Sequence, residues 1–186
     1  MHNLFKIFHF IDEYNETYLE KIDKKISIIY RNYNKENKLD TILKIKKHCK
    51  KNKRKFFLAN DYKMAWKMNL DGYYIPSFNK SFKHLLPNKR KNFTVIGSAH
   101  NLEEINLKIK QKCKYIFLSP IFNVKKKNNF LGLNVFRNYA NQISVETIAL
   151  GGLNLDNKKK INISGASGYA SISMIKKKAQ IKSGPF

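Results

Sequence analysis

Seven short apolar runs of this 186-residue chain end in residues able to handle charged ligands. Arg31 and Asn32 close one run, Asn60 and Asp61 the next, then Ser77 and Asn79, Ser98 and His100, Ser119 and Pro120, Gly151 and Gly152, and finally Ser171 and Ser173. An arginine at such an end must face an open mouth or a carboxylate, and an anion is its natural ligand. Asp61, with Asn60 beside it, is a candidate for holding a divalent cation, or else the N-cap of a helix beginning DYKMAWKMN. Gly151 and Gly152 either make a tight strand-to-helix turn or free backbone N–H groups for a phosphate. The Gly/Ser-rich GASGYASIS that follows favours phosphate. His100 is an acid–base candidate, or a local hydrogen-bonding partner at a helix entry. The lysine-rich FNVKKKNNFLG reads as a solvated loop able to close over an anionic substrate.

The elements that must position these residues alternate along the chain. Eight β-like runs lie at 4–10, 26–32, 55–61, 71–76, 93–99, 114–122, 146–152 and 168–173. Helices are expected over 14–23, 37–50, 101–111 and 154–161, while the fourth and sixth helices are weakly marked. The 101–111 segment is clearest: Asn101 offers an N-cap, Glu103 and Glu104 suit the positive helix start, and Ile105, Leu107 and Ile109 supply apolar contacts. Strand–helix alternation implies a parallel sheet, and eight units imply an α/β fold, a short single-domain (β/α)8 TIM barrel over residues 1–186. A doubly wound open sheet is the alternative. In either fold, ligands bind beyond the carboxyl ends of the strands. Trp66, with Met64 and Met68, is expected to pack the third helix.

Composition narrows the function classes. With 42% apolar residues the chain can bury a core, and no window approaches the apolar length of a membrane span. The first residues lack a signal-peptide cleavage pattern, and Cys49 and Cys113 have neither metal nor disulfide spacing, so a cytoplasmic, soluble protein is expected. The net charge of +24 invites a nucleic-acid reading. Only four of the 37 basic residues are arginine, however, and the chain is rich in Lys, Asn, Ile, Phe and Tyr, the residues of A/T-rich codons. No dedicated nucleic-acid partner is expected, although the lysines favour phosphorylated small molecules.

FLAND with LDGYYIP, VIGSAHNLEEI, YIFLSPIF, IALGGLNLDN and GASGYASISMI resemble, in order and spacing, the motifs of the thiamine-phosphate synthase family, which also includes thiazole tautomerases. The resemblance runs from about residue 26 to 176. It implies an Mg²⁺-assisted transferase that joins 4-amino-2-methyl-5-hydroxymethylpyrimidine diphosphate to 4-methyl-5-(2-phosphoethyl)thiazole, releasing diphosphate. On the same resemblance Arg31, Asn60, Ser98 and Lys127 contact the pyrimidine diphosphate, and Asp61 and the position of Asn79 hold the metal. Gly151, Gly152, Ile172 and Ser173 hold the thiazole phosphate. Arg31, Ser98 and Lys127 are the catalytic candidates.

The chain also departs from the family pattern. Ile29 replaces a glutamine, Asn79 stands where the second metal aspartate belongs, Ser119-Pro120 replaces Gly-Pro, and NVKKK replaces the threonine-rich loop. The phosphate end is thus better kept than the metal end, which suits a thiazole phosphate tautomerase or a non-catalytic thiazole-phosphate binder as the alternative. Pro120, in place of the histidine of known tautomerases, favours the synthase.

Overall fold

A computed structural model describes residues 5–33, 38–85, 90–124 and 129–181. Eight strands, β1 (Lys6–Ile11), β2 (Ser27–Tyr30), β3 (Phe56–Ala59), β4 (Gly72–Ile75), β5 (Thr94–Ala99), β6 (Tyr115–Leu118), β7 (Glu146–Leu150) and β8 (Gly168–Ser171), pair in sequence order. All eight pairs are parallel and β8 pairs back to β1, so the sheet closes. The eight expected strands are all present, the barrel reading holds and the open-sheet alternative falls. Strands buried on both faces carry nearly continuous apolar runs, which is why they were legible.

Among the described residues six α-helices wrap the barrel: α1 (Glu16–Lys21), α2 (Leu39–Lys51), α3 (Tyr62–Lys67), α4 (Leu102–Lys110), α5 (Gly132–Gln142) and α6 (Ser173–Ile181). Two expectations change. The weakly marked fourth helix is only a 3-10 turn at Lys83–Leu85, whereas the sixth is a regular helix, α5. The helix expected over 154–161 is replaced by a 3-10 segment, Lys158–Ile163. The Asn154 side chain accepts from the Asp156 and Asn157 amides, and Asn157 reaches back to the Gly152 carbonyl. These side-chain bonds give the backbone an alternative to an α-helical ladder.

Phe8, Phe10, Phe57, Tyr74 and Phe117 meet inside the barrel, mostly edge to face, with Ile29, Ile96 and Ile148 between them. Gly72 lies level with Phe57 across β3 and β4, and a Cβ there would sit 2.7 Å from the Phe57 ring. The interior therefore alternates large and small to fill the bore. Cys49 and Cys113 are buried free thiols, and burial pushes both pKa values up to about 12.

Helices α2, α3 and α4 end alike. The amides of Arg54, Leu70 and Cys113 reach back five residues to the carbonyls of Cys49, Ala65 and Lys108, while Lys53, Asn69 and Lys112 take φ of 53°, 50° and 57°. This is the Schellman geometry, which glycine adopts without steric cost. Replacing Lys53 by glycine is expected to raise unfolding stability by about 1 kcal/mol, read as a higher urea midpoint at unchanged slope.

Candidate active site

The carboxyl ends of the eight strands form one rim, and the described candidate residues stand on it. Arg31, just beyond β2, places its guanidinium 4.7 Å above the Phe10 ring, and among the described residues it donates no side-chain hydrogen bond. A half-buried cation resting on an aromatic floor, with its donors free, is an anion hook. Beside it Tyr33 and Phe78, both exposed, meet edge to face at 5.7 Å. Ser98 is buried inside the rim beside Tyr74, whose pKa burial raises to about 12. Ile29, where the family has glutamine, is fully buried in the barrel core and offers the site no hydrogen bond.

Across the rim the polar groups are mutually engaged. Asn60, at φ 59°, accepts from Asn79 Nδ2 at 2.6 Å, and the same amide lies 3.3 Å from the Tyr73 hydroxyl. Asn79 Oδ1 accepts the Ser81 amide. Asn79 is thus a loop fastener, and both ends of its side chain are taken. Asp61 caps α3 through Oδ1, which accepts from Met64, so the capping alternative describes that oxygen. Its Oδ2 accepts no hydrogen bond among the described residues. Likewise His100 is bound locally: Glu104 takes both its backbone N–H and its Nδ1 at 2.7 and 2.9 Å.

On the β7–β8 side the register pairs Leu150 with Ala170, so Gly151 and Gly152 lie level with Ser171 and Ile172. Gly151 and Gly152 have φ of 90° and 70°, and added Cβ atoms would meet Pro120 at 2.8 Å and the Phe122 carbonyl at 2.4 Å. Both glycines are therefore needed for the turn. Among the described residues neither glycine N–H donates a hydrogen bond, nor do those of Ile172 and Ser173 at the start of α6. Four free amides on adjacent strand ends, two at a helix start, suit a phosphate. A cavity of about 300 Å³ opens beside them, lined by Phe10, Asp12, Asn15, Tyr18, Ile172 and Lys176 among others. Lys127 lies outside the described residues.

Sequence reasoning missed the groups that hold this rim in shape. His9 is buried behind β8, its Nδ1 donating to the Ser171 carbonyl at 2.7 Å and its Nε2 accepting from the Tyr18 hydroxyl at 2.6 Å. Desolvation lowers its pKa, so the neutral ring ties β1 to the phosphate end. Lys108 has no exposed surface, and its ammonium donates to the carbonyls of Pro76 and Asn79 and to Gln111 Oε1. Gln111 in turn donates to the Asn79 and Ser81 carbonyls. Burial lowers the Lys108 pKa to about 8, so it remains charged at neutral pH. In the sequence Lys108 is one lysine among many; the only signal is its position three residues after Ile105 on the apolar face of α4.

The comparisons with known proteins point one way. A family model described as thiamine monophosphate synthase matches residues 11–175. A thiamine-phosphate synthase of Pelagibacter ubique is 29% identical over 86% of this chain and 82% of its own length. One of Prochlorococcus marinus is 40% identical over 44% of this chain, a stretch that spans only 24% of that longer protein. Among solved structures, a thiamine phosphate pyrophosphorylase of Pyrococcus furiosus superposes with a TM-score of 0.77 over 96% of this chain and 93% of its own, at 18% identity. That last likeness carries the barrel fold.

Replacing Lys108 by methionine leaves two buried carbonyls and an amide oxygen without their charged donor. The expected loss is about 2 kcal/mol or more of unfolding stability, measured by urea titration. Unchanged stability would show that the lysine does not fasten the 76–81 loop.

Proposed function

The chain belongs to the thiamine monophosphate synthase family, and we propose that it joins the pyrimidine diphosphate to the thiazole phosphate to give thiamine phosphate and diphosphate. The observation that carries this reading is the pair of anion seats on one rim: the free Arg31 guanidinium over Phe10, and the four unpaired amides of Gly151, Gly152, Ile172 and Ser173. A substrate with a phosphate at one end and another with a diphosphate need two such seats. The reaction breaks the bond between the pyrimidine methylene carbon and the diphosphate oxygen, which leaves with the electron pair. The thiazole nitrogen then gives its lone pair to that carbon, so no proton need move. Arg31 holds the departing negative charge, as a fixed cation in a partly water-excluded site does effectively. The exposed rings of Tyr33 and Phe78 stand beside it, where aromatic faces favour a carbocation.

Magnesium is part of the proposal. Asp61 keeps one carboxylate oxygen free, whereas Asn79 is tied into its loop. No cluster of three or more His, Cys, Asp or Glu exists among the described residues. Mg²⁺ commonly uses one or two carboxylates plus substrate phosphates and water, so this donor set fits an ion brought in with the diphosphate and anchored by Asp61 alone. Bound there, it would neutralise the diphosphate as it departs. Lys127 and Ser98 are further proposed contacts of the diphosphate. No helix among the described residues is long and apolar enough to cross a membrane, and we place the reaction in the cytoplasm.

The engaged Asn79 also favours a second reading, a protein that handles the thiazole phosphate alone. Incubating the protein with both substrates and Mg²⁺ is expected to yield thiamine phosphate, and Arg31→Met is expected to lower kcat/KM about 100-fold or more at unchanged circular dichroism. Absence of product, with thermal stabilisation by the thiazole phosphate only, would replace the synthase reading with the second one.

A further inference from the structure

The opposite, amino-terminal face of the barrel carries a cavity of about 690 Å³, larger than the one beside the rim. It opens beneath the entries to β3, β4, β5 and β6. Five cationic side chains line it, Lys55, Arg90, Lys91, Lys112 and Lys114, against one carboxylate, Asp71. Oδ2 of that carboxylate accepts the Phe56 amide, and the cations outnumber it five to one. None of the five cations forms an ion pair among the described residues.

Composition does not explain this concentration. The segments entering β7 and β8, 143–145 and 164–167, contain no lysine or arginine, and α5 has no basic residue in its last turn. In the entry quadrant, by contrast, Lys55 just before β3 and Lys112 and Lys114 just before β6 line one hollow.

The cavity also has an aromatic wall. Arg90 lies 4.6 Å over Trp66 and 5.2 Å over Phe93, and donates one hydrogen bond to the Trp66 carbonyl. Its Nε is buried with no partner. A guanidinium held close to an indole and a phenyl ring, with lysines around it, offers a surface for stacking and a phosphate grip together. The volume suits a ligand of nucleotide size.

We infer that this hollow is a second ligand site that takes a nucleotide unit, its ring against Arg90 and Trp66 and its phosphates among Lys55, Lys112 and Lys114. The site is independent of the rim, on the other side of the packed barrel core, and does not rest on the proposed reaction. The unit can belong to a free nucleotide or to single-stranded RNA, and the chemistry recognised is the same.

Trp66 is the single tryptophan of the chain, so its fluorescence reports on this site alone. The full chain is titrated with ADP, with a 12-residue oligoadenylate and with inorganic pyrophosphate. Saturable quenching by ADP or by the oligomer is expected, with pyrophosphate at least tenfold weaker. Tighter binding of the oligomer per adenylate assigns the site to RNA, and equal binding assigns it to the free nucleotide. Lys112→Glu with Lys114→Glu, or separately Lys55→Glu, is expected to weaken binding about tenfold. Lys24→Glu with Lys25→Glu, equal in charge change but away from the hollow, is expected to leave it unchanged. Folding of each variant is checked by circular dichroism. Equal affinity for pyrophosphate, absence of quenching, loss of affinity in the Lys24/Lys25 variant alone, or displacement of ADP by the thiazole phosphate would overturn the assignment.

Discussion

Filling the bore of the barrel is the constraint on which the rest of this structure depends. Phe8, Phe10, Phe57, Tyr74 and Phe117 occupy the space enclosed by eight strands, and Gly72 gives way where Phe57 needs room. Side chains alternate inward and outward along each strand, so once these rings point in, the inward direction is set for the next residues too. Arg31 comes to lie over Phe10 because it follows two residues after the inward Ile29, level with it in the register. The same parity turns Ser98 toward Tyr74. The packed core and the ligand rim are one construction seen at different heights.

The rim divides into two halves built on different principles. At β7 and β8 the groups on offer are backbone amides without a partner among the described residues, on a turn where Gly151 and Gly152 adopt positive φ and lie against the β6 loop. Side-chain drift does little to such a seat. The β3–β4 half relies on side chains, and there the chain has rewired itself. Asn79 fastens Asn60 and its own loop, and a buried ammonium at Lys108 grips that loop from behind through Pro76 and Asn79. An ion pair with a carboxylate was not needed to bury that charge; three oxygen acceptors satisfy it.

Much of this was legible in the sequence, and the misses have physical causes. Every strand could be read because burial on both faces makes each a nearly continuous apolar run, as in YIFL or GYYI. The 3-10 segment after β7 could not, since Asn154 and Asn157 compete for the backbone through their side chains, and propensity alone does not reveal which bonds form. The glycine pair could be placed, but whether it served a turn or a ligand depended on space that only the fold defines. Lys108 and His9 escaped notice for the opposite reason, because a lysine in a lysine-rich chain and a histidine in an apolar strand carry no mark of what they will touch. Arg31 was conspicuous because a charge that closes an apolar run has few places to go.

The central claim is that the unpaired amides at the β7 and β8 ends form the seat for the thiazole phosphate. Amide NMR of the ¹⁵N-labelled protein, titrated with 4-methyl-5-(2-phosphoethyl)thiazole, tests it residue by residue. The account predicts that the N–H resonances of Gly151, Gly152, Ile172 and Ser173 shift together, saturate together, and move downfield as they gain a charged acceptor. Perturbations confined to other parts of the barrel, with these four resonances unmoved, would contradict it.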